Sequence, residues 1–307
     1  MSDIITTDKL FKSYKDVAAV TDLSLNVRKG EIYGFLGLNG AGKTTTIRML
    51  LGLIRPTSGV SYINGKRVHP DNIGLWREIG SLVEIPYAYP DLTVRENLEI
   101  FRRLRFLSGK DQVDSVIDKL KLTPYLNRKA KNLSLGNAQR LGLAKALIHN
   151  PDILILDEPT NGLDPAGIYE IRELLTDLAQ NRGVTIFISS HILGEISRFA
   201  TRIGIIHEGF LIQEVDSAKL ETLCRKRLKI NTRNNALAKT VLSGAGIVFI
   251  DTADNILETE DQGAIKNPEN LTSLLASNGV PPSMVNVVEE DLESYFLRTI
   301  GMKGQKQ

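Results

Sequence analysis

The sequence has 307 residues, 42% hydrophobic and 24% charged, the balance of a globular chain with enough apolar side chains for a core. Its formal net charge of +2 gives no electrostatic case for nucleic acid or an anionic membrane surface as a partner. The one cysteine, Cys224, excludes an internal disulfide framework and fits a reducing compartment, and with four scattered histidines it makes no cluster of zinc spacing.

The opening MSDIITTDKL has no basic region followed by an apolar stretch, so a secretory signal is not expected there. Apolar runs such as ILIL at 153–156 fall far short of the ~20 residues a membrane helix needs. Work at a membrane is therefore expected to require another, spanning chain. Residues 1–35 alternate apolar and polar side chains in IITTDKL, AAVTDLSLNV and GEIYGFLG, which predicts short strands. A glycine-rich loop follows, then a helix over KTTTIRMLLGL, with a turn marked by Pro56 and Gly59. Residues 90–150 read as mostly helical. TVRENLEIFRRLRFL has helical spacing, Thr93 as its cap and Glu96 three residues on. DQVDSVIDKLKL is a second helix, ended by Pro124, and AQRLGLAKALIHN a third.

From 151 strands and helices alternate: ILIL, IYEIRELLTDLAQ, VTIFIS, LGEISRFA and IGIIHEG. That order implies parallel strands joined by crossover helices, so an α/β core is interrupted by a helical insert. Beyond about 220 the character shifts to a basic strand in CRKRLKINTRN, a helix at 235–243, a strand near 246–251, a helix at 268–277 and a last strand-helix piece. This reads as a small α+β domain. Its basic run, Arg225, Lys226, Arg227 and Lys229, reads as a solvated strand edge, and KGQKQ as a frayed tail.

Two motifs carry chemistry. GLNGAGKT, Gly37 to Thr44, fits a phosphate loop between a strand and a helix. Its glycines, with Gly40 and Gly42 flanking Ala41 after Asn39, let backbone N–H groups turn toward phosphates at a helix N-terminus. Lys43 is placed to reach the β- and γ-phosphates, the Thr44 hydroxyl to ligate Mg²⁺, and Thr45 to donate to a phosphate oxygen. ILILDEP ends a buried strand in two acids. Ligands of parallel sheets sit at the carboxyl ends of strands, which puts Asp157 and Glu158 on the phosphate-loop edge. Asp157 is expected to hold Mg²⁺ through water, and Glu158 to act as general base on an attacking water.

With NGAGKTT, LILDEPTNGLDP and SSH in this order, residues 3–215 resemble the ATPase subunit of an ABC transporter. The resemblance implies an α/β P-loop NTPase (ABC ATPase) core, 1–218, with an antiparallel β subdomain and a helical insert at about 85–150, plus a small C-terminal α+β domain, 219–307. It implies ATP and Mg²⁺ as cofactors. It also makes LSLGNAQR at 133–140 the counterpart of a signature motif, LSGGQ.QR, that contacts ATP held by a second copy of the subunit. Ser134 and Gly136 would then bind that γ-phosphate in a head-to-tail dimer enclosing two nucleotides. The chemistry agrees, since serine is a good helix cap and a helix start is an anion site. Tyr14 matches the aromatic that stacks on adenine, Asp164 the loop that crosses the dimer interface, and His191 the histidine that contacts the γ-phosphate.

The chain departs from the family at Leu135, Asn137 and Glu84. Glutamine is usual where Glu84 stands. A carboxylate only accepts hydrogen bonds, and it adds negative charge near a triphosphate. Glu84 is expected to ligate Mg²⁺ or orient water and to tune the coupling of hydrolysis to the membrane partner. This acid, SLGN and the C-terminal extension resemble the bacitracin-resistance and lantibiotic self-protection exporters. The implied partners are a second copy of the chain and a separate permease, on which the helical insert docks, at the cytoplasmic face of the cell membrane. Nucleic acid is not expected. An importer ATPase remains the first alternative. A soluble ABC ATPase of the ribosomal or DNA-acting kind is the second, against which stand a single ATPase core, no coiled-coil insert, no zinc cysteines and little net charge.

Overall fold

The computed structural model describes residues 2–301 apart from Ile85, Lys110, Ala253 and Asn255, so the tail KGQKQ lies outside the described residues. The chain divides into two compact units, Met1–Ala218 and Lys219–Gln307.

The first unit is built on a six-stranded sheet in the order Phe210–Asp216, Arg202–His207, Ile32–Leu36, Thr185–Ser190, Ile153–Asp157, Ile79–Leu82. All neighbours are parallel except the edge strand Phe210–Asp216. The central strands IYGFL, ILILD and TIFISS are buried at every residue, as strands covered on both faces must be. Tyr33 stacks on Phe187 at 5.5 Å between ring centroids. The register aligns the carboxyl ends: Leu36 pairs with Ser190, Ser189 with Asp157, and Leu156 with Leu82. A single edge therefore collects whatever side chains follow those residues.

An antiparallel sheet of Val17–Leu23, Asp3–Tyr14, Ser58–Ile63 and Lys66–Arg67, with Asn26–Arg28 on Asp3–Tyr14, packs on the phosphate-loop side. The helical insert holds Val94–Leu104, Asp111–Lys119 and Leu135–Leu147. Thr93 and Glu96 close a reciprocal capping box on the first of these. Leu135–Leu147 meets the strand Ile79–Leu82 through two glycines. A β-carbon at Gly80 would lie 2.1 Å from the Ala146 carbonyl oxygen, and one at Gly142 2.5 Å from Cβ of Pro86. The small-residue contact ties the helix of LSLGNAQR to the strand that leads to Glu84.

At the end of that helix the His149 ring lies against the same strand, with Nε2 3.1 Å from the Ile79 carbonyl oxygen. Burial, then the Arg105 guanidinium, pushes its pKa down to about 4. The folded chain thus keeps His149 neutral where the unfolded chain protonates it. The stability this gives is complete above pH 6.5 and is lost as pH falls toward about 4. Between about pH 7 and about pH 5, the wild-type advantage over His149→Gln should shrink by about 1 kcal/mol in urea unfolding, a figure already reduced for the ring's partial exposure.

The second unit is a four-stranded antiparallel sheet in the order Ile250–Asp251, Leu257–Thr259, Lys226–Thr232, Pro282–Glu289. The helices Asn235–Gly244, Gln262–Lys266 and Pro268–Ser277 bury Leu228, Ile230 and Leu257 with Leu242, Leu271 and Leu275. The basic run is not a sheet edge. Lys226–Thr232 lies between two strands, and its cations face acids: Arg227 meets Glu260 at 3.0 Å, Lys229 meets Glu258 at 3.3 Å, and Lys226 meets Glu289 at 3.5 Å. Three other expectations change. The helix expected over LGEISRFA spans only Leu193–Ile196, the strand near 246–251 only Ile250–Asp251, and the phosphate-loop helix ends at Leu50.

Candidate nucleotide site

The strand Ile32–Leu36 runs into the glycine loop, and the helix Lys43–Leu50 starts directly after it. Gly42 caps that helix at φ 107°, a conformation open to glycine and strained for other residues. A β-carbon there would also meet the Ala19 carbonyl oxygen at 2.5 Å. Asn39 and Gly40 lie exposed at the tip of the loop. The Lys43 ammonium is buried, folded back over the loop to donate to the Gly37 carbonyl oxygen at 2.7 Å. It also meets Glu158 Oε1 at 3.2 Å. The other oxygen of Glu158 lies 2.7 Å from His191 Nδ1. One carboxylate at the end of its strand is thus flanked by the phosphate-loop lysine and the histidine of the neighbouring strand end. Glu158 holds a left-handed backbone, φ 48°, of the kind that gathers at functional sites.

Asp157 is buried beside it. Its carboxylate accepts from the Thr44 hydroxyl at 2.7 Å and from the Ser189 hydroxyl at 2.6 Å. Thr44 and Asp157 supply hard oxygen donors side by side. Among the described residues no group of three His, Cys, Asp or Glu side chains could cage a metal. That donor set fits Mg²⁺, which is commonly held by one or two carboxylates together with substrate phosphates. Thr45 lies half-buried next in the helix. Glu84 follows the strand Ile79–Leu82 and pairs with Arg48 of the phosphate-loop helix.

A second cluster forms at the start of the helix Leu135–Leu147. Ser134 caps the helix Leu135–Leu147, its hydroxyl accepting from Asn137 N at 3.4 Å. Gly136 faces the DEPTNGLDP loop, for a β-carbon there would stand 2.9 Å from the Gly162 carbonyl oxygen. Asp164 ends that loop by capping the helix Pro165–Arg182, accepting from Gly167 N at 2.9 Å. Leu135, in the position of a family glycine, is 60% exposed. Among the described residues no hydrogen bond or ion pair joins Ser134, Gly136 or Asp164 to a phosphate-loop side chain. Tyr14 ends the first strand, half-exposed under the Lys12 ammonium, so it is not a core residue.

Two residues of the site carry weak signals in the sequence. Ser189 donates to Asp157 and accepts from the Glu158 N–H at 3.0 Å. Its signal is a hydroxyl ending an otherwise apolar strand, and its partner appears only with the strand register. Gln139, on the helix of LSLGNAQR, donates to the Glu158 carbonyl oxygen at 3.1 Å.

Comparison with known proteins agrees with the geometry. Residues 20–161 match the family described as ABC transporter. The chain is 43% identical to the bacitracin transport ATP-binding protein BcrA of Bacillus licheniformis, over 98% of each chain. It is 37% identical to the lantibiotic transport ATP-binding protein SrtF of Streptococcus pyogenes, over 75% of this chain and all of that one. Among solved structures, the dimeric post-hydrolysis state of the ATP-binding cassette MJ0796 bound to ADP and Pi superposes with a TM-score of 0.65. It is 26% identical, covering 70% of this chain and 99% of that one.

Proposed function

The chain belongs to the ATP-binding proteins of the ABC transporter family, hydrolysing ATP on an α/β ATPase cassette, and on that premise we propose that it powers export of a peptide antibiotic through a separate permease. The observation that carries the catalytic part is the Glu158 carboxylate between Lys43 and His191, with Thr44 and Asp157 joined beside it. Lys43 leaves Glu158 for the β- and γ-phosphates, and the backbone N–H groups around Asn39, Gly40 and Gly42 cradle them. Thr45 adds a hydroxyl donor to a phosphate oxygen. Tyr14 stacks on the adenine. Thr44 and Asp157 would hold Mg²⁺, while Glu84, at the next strand end, is paired with Arg48 of the phosphate-loop helix. When bound, the ion neutralises charge that builds up on the phosphates.

Glu158 accepts a proton from the attacking water. Ser189 fixes the geometry by bridging Asp157 and the Glu158 N–H. His191, held by Glu158, is placed to hydrogen-bond the γ-phosphate. Ser134 and Gly136 complete the site of a second copy, and Asp164 stands where the two copies meet. Among the described residues no hydrogen bond or ion pair joins this cluster to a phosphate-loop side chain of its own chain, which is consistent with that arrangement. The permease docks on the helical insert at the cytoplasmic face of the membrane. No helix among the described residues is long and apolar enough to cross it.

The cassette fold alone specifies no cargo, and the proposal of a peptide antibiotic is supported by relatives whose names give bacitracin and lantibiotic transport. The test is resistance in a sensitive host expressing the chain with its permease. Resistance to bacitracin or a lantibiotic should rise with the wild type and fall to the host level with Lys43→Ala. That variant should bind ATP about 10- to 100-fold more weakly, the loss of a charge-assisted phosphate contact. Unchanged resistance with the wild type would overturn the cargo. Full resistance with Lys43→Ala would overturn the ATP-driven mechanism.

A further inference from the structure

Arg48 has no part in the chemistry above, yet it is the side chain that Glu84 meets. The strand Ile79–Leu82 lies beside Ile153–Asp157, with Leu82 paired to Leu156. Glu84, two residues on, therefore sits at the strand end next to Asp157, and its backbone is left-handed, φ 55°. Residues four apart on a helix share a face. Thr44 and Arg48 stand so on Lys43–Leu50, the first bonded to Asp157 and the second to Glu84. One helix face thus holds the carboxylates of two neighbouring strand ends.

The pair is a poor device for stability. Arg48 is 36% and Glu84 52% exposed, and solvated ion pairs of this kind contribute little to folding. Its consequence lies in charge and direction. Asp157 and Glu158 already put two carboxylates on this edge, and a free Glu84 would add a third where a triphosphate and its metal are to bind. Held by a guanidinium of the same helix, the Glu84 carboxylate is neutralised locally and turned toward that helix.

We propose that Arg48 is a positioning residue that acts through Glu84, and that the pair lets this chain carry a carboxylate at the corner beside Asp157 without opposing MgATP. The inference rests on the nucleotide-site reading above. Without Arg48, Glu84 is free to turn toward the nucleotide, where it repels the phosphates and competes for the metal.

Steady-state ATP hydrolysis by the full chain tests this with a double-mutant cycle read as KM for MgATP against free Mg²⁺. Arg48→Gln should raise KM about fivefold, more at low ionic strength, with the change in KM rather than kcat. Arg48→Lys keeps the charge and should stay within about twofold of the wild type. In a Glu84→Gln background the Arg48→Gln change should move KM less than about twofold, because a neutral amide needs no counter-ion. An equal shift in both backgrounds, as a merely structural arginine would give, overturns the proposal, and so does no shift in either. A wild-type chain that fails to hydrolyse MgATP would overturn the site reading itself, a result distinct from both.

Discussion

Glu158→Gln is expected to lower ATP turnover by about 10²- to 10⁴-fold, the range for loss of a general base, while ATP binding is kept or strengthened. The amide has nearly the shape of the carboxylate, so the left-handed turn at this position and the Ser189 bond to the backbone N–H survive. What changes is charge. The carboxylate that pairs with Lys43 at 3.2 Å and with His191 at 2.7 Å is gone. Lys43 is then freed toward phosphate, and no base remains to take the proton of water. Paired measurements of nucleotide affinity and phosphate release check this. If turnover falls by less than about tenfold, Glu158 is not the base.

Ser134→Asp is expected to cost about 10²-fold in turnover, as loss of a phosphate-stabilising donor does, with the fold intact. This substitution separates two roles that most changes would confuse. Asp caps a helix as well as Ser does, and its charge favours the helix start. If Ser134 only caps Leu135–Leu147, the variant should melt at or above the wild-type temperature and work normally. If Ser134 faces the γ-phosphate of a second copy, the carboxylate repels it. ATP affinity of each separate chain should stay unchanged, because the chain's own phosphate loop is untouched. Thermal melting, nucleotide affinity and turnover, measured on one preparation, decide between these outcomes.

Both predictions start from residues legible in the sequence, for definite reasons. The phosphate loop and the acidic pair are local motifs: short range fixes Gly42, Lys43 and Thr44, and a buried apolar strand delivers Asp157 and Glu158 to the sheet edge. The parallel core was readable from 151 onward, where strands such as ILIL and VTIFIS alternate with helices, whereas GEIYGFLG, grouped with the alternating strands of residues 1–35, forms the fully buried strand Ile32–Leu36 of the same core. The contacts that complete the site are not local. Ser189 reaches Asp157 across 32 positions and Arg48 reaches Glu84 across 36, and neither pairing has a period or a spacing. Strand Ile79–Leu82 carries a glycine at its centre because the helix Leu135–Leu147 closes on it, so its own propensity is weak. The second unit was blurred by charge. The basic side chains of Lys226–Thr232 are solvated as expected, but the strand is not an edge, because the partners on either side and the acids they bring, Glu258, Glu260 and Glu289, arrive from far along the chain.

The claim that two copies close over ATP is tested most directly by the solution mass of the Glu158→Gln chain with MgATP. The mass should double when ATP is added, remain that of one chain with ADP, and remain that of one chain with ATP when Ser134→Asp is introduced as well. A single-chain mass at saturating ATP, or a dimer indifferent both to nucleotide and to Ser134→Asp, would contradict it.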